Sequence, residues 1–348
     1  MKNKIVLLIV VFSAIFCSLS TPTQAKIKGK HFIYPVFAYS DTGYLIGGYH
    51  VYQPPSQRLL VENYLALGQK GLDVMTGLYG FALNDSTDLE TNLSYSSFPQ
   101  YYFGLGNNTP LNAKKEVYGS LINYQLGIRK ELNPQWSWAL FYLYSARQED
   151  LAKNYNITYV SNEALSALEF SLRFDDRAKL NPTSGSYAHS FLTFYPGVAN
   201  SSANLDDIWK LKLDLRYLKP FGENSLVLRS VLGTLSGGRA SYLQMFKIGS
   251  DSLMRGIYSN RYVGKSLTAF QAEYRFKLFA IFSGACFIAA GQVGDTLGLS
   301  DLHYSKGVGL HILLPDGETP LRFDLASSED TVLVYGSFGQ AVSNHIRT

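Results

Sequence analysis

Apolar and polar residues alternate one by one along much of the chain, in segments of about ten residues. In the segment from Ile208 to Lys219, apolar side chains occupy one face and charged side chains the other: Trp209, Leu211, Leu213, Leu215 and Tyr217 against Lys210, Lys212, Asp214 and Arg216. Segments 165–175 and 267–278 repeat this arrangement. A period of two is typical of a β-strand with two different faces. The pattern therefore predicts an all-β protein.

Composition separates the remaining fold classes. The chain contains 25 Tyr, 21 Phe and 30 Gly, which are strand and turn residues rather than helix formers. After the N-terminal segment, no stretch is long and apolar enough for a membrane-spanning helix. A soluble sandwich would also alternate, but the pattern continues far beyond the size of such a domain without a linker. Aromatic residues also crowd the strand ends, as in a membrane barrel.

The turn signals divide the chain into sixteen strands, from 31–39 to 331–340, with one predicted at 116–130. Tight turns and longer connections alternate, and the longest connection covers 237–265, between the eleventh and twelfth strands. An even number of strands places both ends of a barrel on one side of the membrane. The predicted fold is a 16-stranded antiparallel transmembrane β-barrel.

The first residues have the pattern of a secretory signal peptide. Lys2 and Lys4 precede an apolar stretch from Ile5 to Phe16, and a polar region ends at Ala25. We expect residues 1–25 to be removed and residues 26–348 to form the barrel, with no periplasmic domain. The predicted location is the bacterial outer membrane, and the lipid bilayer is the first expected partner.

Charge and motif content argue against several other functions. The formal charge of +4 falls by two when residues 1–25 are removed, so no nucleic-acid partner is expected. The six His show no metal-ligand spacing, and no Gly-x-Ser-x-Gly nucleophile turn occurs. We therefore predict no metal, no cofactor and no enzymatic activity.

Several motifs in the second half resemble one family. Arg173-Phe174-Asp175-Asp176-Arg177 precedes a Pro-x-x-Gly turn at 182–185, and Met254-Arg255-Gly256-Ile257 lies in the longest connection. These motifs are similar to those of the bacterial surface-antigen family of outer-membrane assembly and transport proteins. The resemblance is to the BamA and TamA type of barrel, here without POTRA domains.

The resemblance implies that the long loop folds into the barrel lumen and that Arg255 meets acidic residues there. Glu273, Arg275 and Asp324 are the candidate partners in the lumen. A guanidinium in such a place can bind a carboxylate through two hydrogen bonds. The alternative is that Arg255 and Gly256 form an ordinary solvated turn.

Two features depart from the family pattern. The family's Phe-x-Asp-x-Gly strand corresponds to Phe287-Ile288-Ala289-Ala290-Gly291, in which Phe287 and Gly291 match but Ala289 replaces the acid. The usual aromatic residue at the chain end is also absent, so the terminal assembly signal would rest on Tyr335 and Phe338.

The resemblance implies insertion or translocation of a protein or lipid client at the outer membrane. The seam between the first and last strands would open, because a closed sheet has no other edge. A polypeptide client or a periplasmic partner protein is expected. Two alternatives stay open: a passive pore or structural barrel, and a lipid-modifying enzyme of the outer membrane.

Overall fold

The computed structural model describes residues 29–40, 43–54, 58–149, 162–177, 182–199, 206–313 and 320–338. The predicted signal peptide, most of the connection at 150–163 and the chain after Phe338 lie outside these described residues. Within the described parts, no helix is long and apolar enough to cross a membrane.

Sixteen strands form one antiparallel sheet in chain order. They are β1 (Lys30–Ser40), β2 (Gly43–Gln53), β3 (Leu60–Gly68), β4 (Leu72–Ala82), β5 (Thr87–Ser96), β8 (Gly119–Glu131), β9 (Trp136–Glu149), β10 (Glu163–Asp175), β11 (Gly185–Tyr195), β12 (Ile208–Phe221), β13 (Asn224–Gly237), β16 (Ser266–Phe279), β17 (Phe282–Gly294), β18 (His303–Leu313), β19 (Pro320–Ser328) and β20 (Val332–Phe338). The all-β, antiparallel class predicted from the sequence is confirmed.

The first and last strands meet at a single position, which makes the sheet a closed barrel. Tyr39 of β1 lies opposite Gly336 of β20, and no further pair joins these two strands within the described residues. By contrast, β12 pairs with β13 over its whole length, from Ile208 to Phe221. We call the junction of β1 and β20 the seam.

Two short hairpins stand outside the main sheet. Strands β6 (Gln100–Tyr102) and β7 (Lys115–Val117) form one, and a 3-10 helix, η1 (Leu111–Ala113), lies between them. Strands β14 (Phe246–Ile248) and β15 (Tyr262–Gly264) form the other. The sequence prediction of one strand over 116–130 was therefore wrong at its start, because the residues before Gly119 pair within the first hairpin.

Tight turns lie at one end of the barrel, which we call the turn side. Asn84 and Asn133 each accept a backbone hydrogen bond two residues ahead, from Ser86 at 3.0 Å and Gln135 at 3.0 Å. Such Asx turns explain why short polar residues reverse the chain here. At 221–224, Gly222 adopts a φ of +62°, which a residue without Cβ tolerates. The longer connections form the opposite, loop side.

The two faces of the strands differ as the alternation predicts. Large apolar side chains point outward and are exposed, for example Leu168 (52%), Leu211 (48%) and Ile288 (63%). Charged side chains such as Glu273 and Asp324 point inward and are buried. A protein in water would have the opposite arrangement, because exposing large apolar areas to water is costly.

Candidate functional site

The connection between β13 and β16 folds against the inner wall of the barrel. Its tip, residues 254–257, is almost completely buried, with Met254 at 0% and Ile257 at 1% exposure. The backbone turns sharply there, because Met254 and Gly256 have φ values of +61° and +94°. A Cβ on Gly256 would lie 2.9 Å from the backbone nitrogen of Ser327, so the tip lies directly against β19.

Arg255 joins two carboxylates from different strands. Its Nη1 donates to Asp324 Oδ2 on β19 at 2.7 Å, and its Nη2 donates to Glu273 Oε2 on β16. All three side chains are at most 1% exposed. The sequence hypothesis thus named groups that lie together in the structure, and the charges are compensated by partners rather than by water.

Further basic side chains complete this cluster. Arg275 Nε donates to Glu273 Oε1 at 2.7 Å. Arg322 Nε lies 3.0 Å from Asp324 Oδ2, and His311 Nε2 lies 3.5 Å from Asp324 Oδ1. The sequence analysis missed Arg322 and His311. Arg322 could have been found, because it precedes Asp324 by two residues and therefore shares its inward face. His311 became recognisable only through the register, which places it opposite Arg322.

Phe287 and Gly291 on β17 also contact the loop tip. The guanidinium carbon of Arg255 lies 3.4 Å from the centre of the Phe287 ring, a cation–π contact. A Cβ on Gly291 would lie 2.5 Å from Met254 Sδ, so this glycine makes room for the tip. Ala289, at the position of the family's acid, packs in the apolar cluster with Met254 and Ile257.

Tyr335 connects the tip to the last strand. The backbone N–H of Gly256 donates to the Tyr335 hydroxyl at 3.0 Å, and Tyr335 is 1% exposed. Phe338 lies at the end of β20, where its backbone pairs with Leu321. Tyr335 therefore has a structural contact besides its predicted part in a terminal assembly signal, which stays a prediction for both aromatic residues.

The charged turn motif after β10 also contacts this region. Arg177 Nε donates to Asp175 Oδ1 at 2.9 Å, and its guanidinium lies 4.2 Å from the centre of the Tyr187 ring. Arg275 Nη1 donates to the carbonyl oxygen of Pro182 at 3.4 Å. The turn and the loop tip are thus linked through the same arginine that binds Glu273.

Loops on the opposite side of the barrel are bonded to one another. Arg261 in the long connection lies 2.6 Å from Asp330 Oδ2 and donates to the Thr109 carbonyl oxygen at 2.7 Å. The Tyr262 and His303 rings stack with centres 3.8 Å apart. The backbone N–H of Gly106 donates to the Val263 carbonyl oxygen at 2.7 Å. These contacts cover the loop side of the barrel above the buried tip.

Two loop carboxylates are held in their charged form. The pKa of Glu116 is lowered by hydrogen bonds from Lys70 and Tyr118. The pKa of Asp301 is lowered by hydrogen bonds from Asn107 and Asn108. Both pairings join separate loops, so they contribute to the covering of the loop side.

The arrangement holds the tip of the long loop in place through charge pairs and hydrogen bonds. Within the described ranges, no group of three or more His, Cys, Asp or Glu side chains could hold a metal ion. The buried carboxylates around Arg255 are occupied by cations of the chain itself. Such a cluster positions the loop tip against strands β16, β17, β19 and β20.

Comparison with known proteins agrees with this architecture. The fold is similar to that of BamA from Haemophilus ducreyi lacking POTRA domains 1–3, with a TM-score of 0.64 and 12% identity over 89% of this chain and 70% of that chain. It is also similar to CdiB from Acinetobacter baumannii, with a TM-score of 0.57 and 12% identity over 90% of this chain. The chain spans 60% of the CdiB chain. No curated protein sequence matches.

Family assignment rests on the sequence itself. Residues 79–333 match the Omp85 superfamily domain, from β4 to the start of β20. This range contains the loop tip, both of its carboxylate partners and most of the sheet. The resemblance inferred from the motifs is confirmed, and the chain belongs to the Omp85 superfamily of outer-membrane β-barrel proteins.

Proposed function

We propose that this protein is an integral barrel of the bacterial outer membrane that inserts or translocates a polypeptide or lipid client through the seam. Residues 1–25 would direct export and be removed, and the barrel would begin after Ala25. The turn side would face the periplasm and the loop side the exterior. The exposed apolar side chains of the strands support this placement, because hydrocarbon solvates them without cost.

The observation that carries the proposal is that, among the described residues, β1 and β20 pair at one position, Tyr39 opposite Gly336. Each intramolecular hydrogen bond contributes about 1 kcal/mol net, so we expect the described part of this junction to open at lower cost than the fourteen pairs between β12 and β13. An open seam exposes unpaired N–H and C=O groups on β1 and β20. Such edges can pair with a strand of another chain.

The buried tip supports the same mechanism. Arg255 and Gly256 contact residues on β16, β19 and β20, so the tip lies beside the last strand and the wall at the same time. In this proposal the tip holds the barrel in its closed form until a client competes for the strand edges. The lumen would stay plugged by the loop, which argues against a passive pore.

Locking the seam tests the proposal. Tyr39→Cys and Gly336→Cys are introduced together, with Cys17 and Cys286 changed to Ser, and the disulfide is formed by mild oxidation. The folding of an unfolded barrel client into vesicles that contain the protein is then followed by its heat-modifiable gel mobility. We expect the locked protein to lower the client folding rate to that of empty vesicles, and a reductant to restore it.

A matched pair in the wall is the control. Leu211 and Thr234 lie opposite one another on β12 and β13. A disulfide between Leu211→Cys and Thr234→Cys should leave the client folding rate unchanged. Full client folding with an oxidised seam would overturn the proposal. Stable conductance without a client in planar bilayers would favour the pore, and lipid hydrolysis by the purified protein would favour the enzyme.

A further inference from the structure

A long groove runs across the outer face of the barrel wall, far from the loop tip. Its volume is about 1080 Å³, and it is lined by outward side chains of β11–β13 and β16–β19. Its lining combines bulky residues with small ones: Tyr217, Phe270 and Ile288 with Ser230, Ala272 and Ala290. A groove of this kind accommodates a flexible apolar chain.

The register shows the course of the groove. Its backbone floor follows one row of paired positions, from Tyr187 on β11 through Gln271 on β16 to Ser305 on β18 and Ser328 on β19. Side chains of this row such as Gln271 and Ser305 are buried on the inner side, and the outward residues next to them line the groove. Six steps between strands, each about 4.8 Å, give a length of about 29 Å. Because barrel strands tilt by about 40°, this row climbs from the turn-side end of β11 to the loop-side end of β19.

A single ammonium group faces outward in the groove. Lys306 is the fourth residue of β18 from the loop side, and its side chain is exposed. With a rise of about 3.4 Å per residue and a tilt of about 40°, it lies about 8 Å below the strand end. A lysine at this depth extends its charged end toward the lipid headgroups while its stem stays in hydrocarbon.

The loop-side end of the groove also contains aromatic and acidic residues. Tyr304, two residues before Lys306, is 64% exposed at the same face. Glu329 lies at this end as well, and its Oε1 is 2.5 Å from Nδ1 of His303. An interfacial tyrosine beside a lysine is typical of the level where lipid headgroups meet the hydrocarbon.

We propose that this groove binds a phosphate-bearing lipid of the loop-side leaflet, with the phosphate at Lys306 and an acyl chain along the groove. The proposal rests on the membrane placement given above. The apolar lining matches the acyl chain, and the lone outward ammonium matches the charge of the phosphate. Bound lipid would cover the outer face of β11–β13 and β16–β19, next to the last strand.

Lipid selectivity measured by electron spin resonance tests the site. The full-length protein is reconstituted in phosphatidylcholine with a trace of spin-labelled phosphatidylglycerol or spin-labelled phosphatidylcholine, and the immobilised fraction of each is compared. We expect wild type to prefer phosphatidylglycerol about five-fold, the effect of one basic residue beside anionic lipid. Lys306→Gln should bring this preference close to one.

Lys219→Gln is the matched control, because Lys219 is also exposed on an outward position but lies near the turn-side end of β12. It should retain the wild-type preference. Ala290→Trp fills the groove while keeping Lys306, and should also lower the preference. Equal loss in Lys306→Gln and Lys219→Gln, or no preference in wild type, would overturn the lipid site.

The two proposals fail in different ways. If the protein immobilises neither labelled lipid and shows no heat-modifiable mobility, it is not inserted in the membrane. This outcome would contradict the membrane placement in the proposed function. A protein that inserts and immobilises both lipids equally keeps the placement but has no selective site. A preference that survives filling the groove would assign the effect to surface charge alone and contradict the proposal.

Discussion

The wall of the barrel and its seam are held together by different means. Within the wall, β8 and β9 pair from Gly119 to Glu131, and β12 and β13 pair from Ile208 to Phe221. At the seam, the described residues contribute one main-chain pair, Tyr39 opposite Gly336.

Buried side chains fasten the loop tip beside the last strands. Arg255 binds Glu273 on the wall and Asp324 on β19, and Gly256 donates to Tyr335 on β20. The β12–β13 junction therefore depends on many cooperative backbone bonds, whereas the loop tip is held against β16, β19 and β20 by a few side chains. Under the proposed function, a client would compete only with these few contacts of the tip and not with a complete backbone ladder.

Removing Arg255 should have the largest effect. Arg255→Ala leaves two buried carboxylates with fewer cations, and breaking a buried pair typically costs 3–5 kcal/mol, so we expect about 4 kcal/mol of lost stability. Urea unfolding in detergent, followed by heat-modifiable mobility, measures this loss. Arg239→Ala, an exposed arginine in the same connection, is the control and should stay near wild type. If Arg255→Ala is as stable as wild type, the alternative that Arg255 and Gly256 form an ordinary solvated turn would be favoured.

Filling the space under the loop tip should have the next largest effect. Gly291→Ala places a Cβ against Met254 Sδ and the Thr268 carbonyl oxygen, so we expect a loss of about 2 kcal/mol, typical of overpacking. The urea midpoint of the variant measures it. Gly48→Ala is the control, because no atom lies within 4 Å of a Cβ there. An unchanged urea midpoint would mean that the loop tip moves to accommodate the added methyl group.

Tyr335→Phe should have a smaller effect that is confined to the seam. The change leaves the Gly256 N–H without its acceptor, which costs about 1–2 kcal/mol. Hydrogen exchange should therefore accelerate in β20 and the loop tip but not in β12 and β13. Tyr217→Phe, an exposed tyrosine of the wall, is the control. Equal acceleration in wall and seam would contradict the separate roles of the two regions.

The exposed ion pair between Lys70 and Glu116 should have the smallest effect. The pKa of Glu116 lies below its ordinary value of 4.5, so this contribution to stability is present above that pH and is lost as pH falls through the lowered pKa. The pair is about one-third exposed and should contribute roughly 0.5 kcal/mol. The stability difference between wild type and Lys70→Met should shrink in acid. Lys130→Met should show no such dependence.

Local alternation made the strands predictable. Its period of two places Leu211 outward and Asp214 inward whatever the neighbouring strands are, so most strand bounds agree within a few residues. The hairpin of β6 and β7 was missed because short strands in a long connection have no such repeated pattern. The start of β8 at Gly119 depended on that hairpin.

Parts of the site were predictable for a similar reason. Glu273 and Asp324 lie at inward positions of their strands, which the alternation indicates. His311 and the Tyr335 hydroxyl could not be connected to the loop tip, because their contacts depend on strand register and on the path of the loop. The sequence likewise does not show that Gln271 and Ser305 lie in one row across the sheet, because that row depends on how the strands pair.

The sequence by itself determined the class of fold, because the two-faced strands and their turns are properties of neighbouring residues. It also determined the family, through motifs such as Met254-Arg255-Gly256-Ile257. Only the tertiary structure decided that Tyr39 of β1 lies opposite Gly336 of β20, and that Arg255 reaches both Glu273 and Asp324. Closure of a sheet and the position of a long loop depend on residues far apart in the chain, and no local pattern encodes those distances.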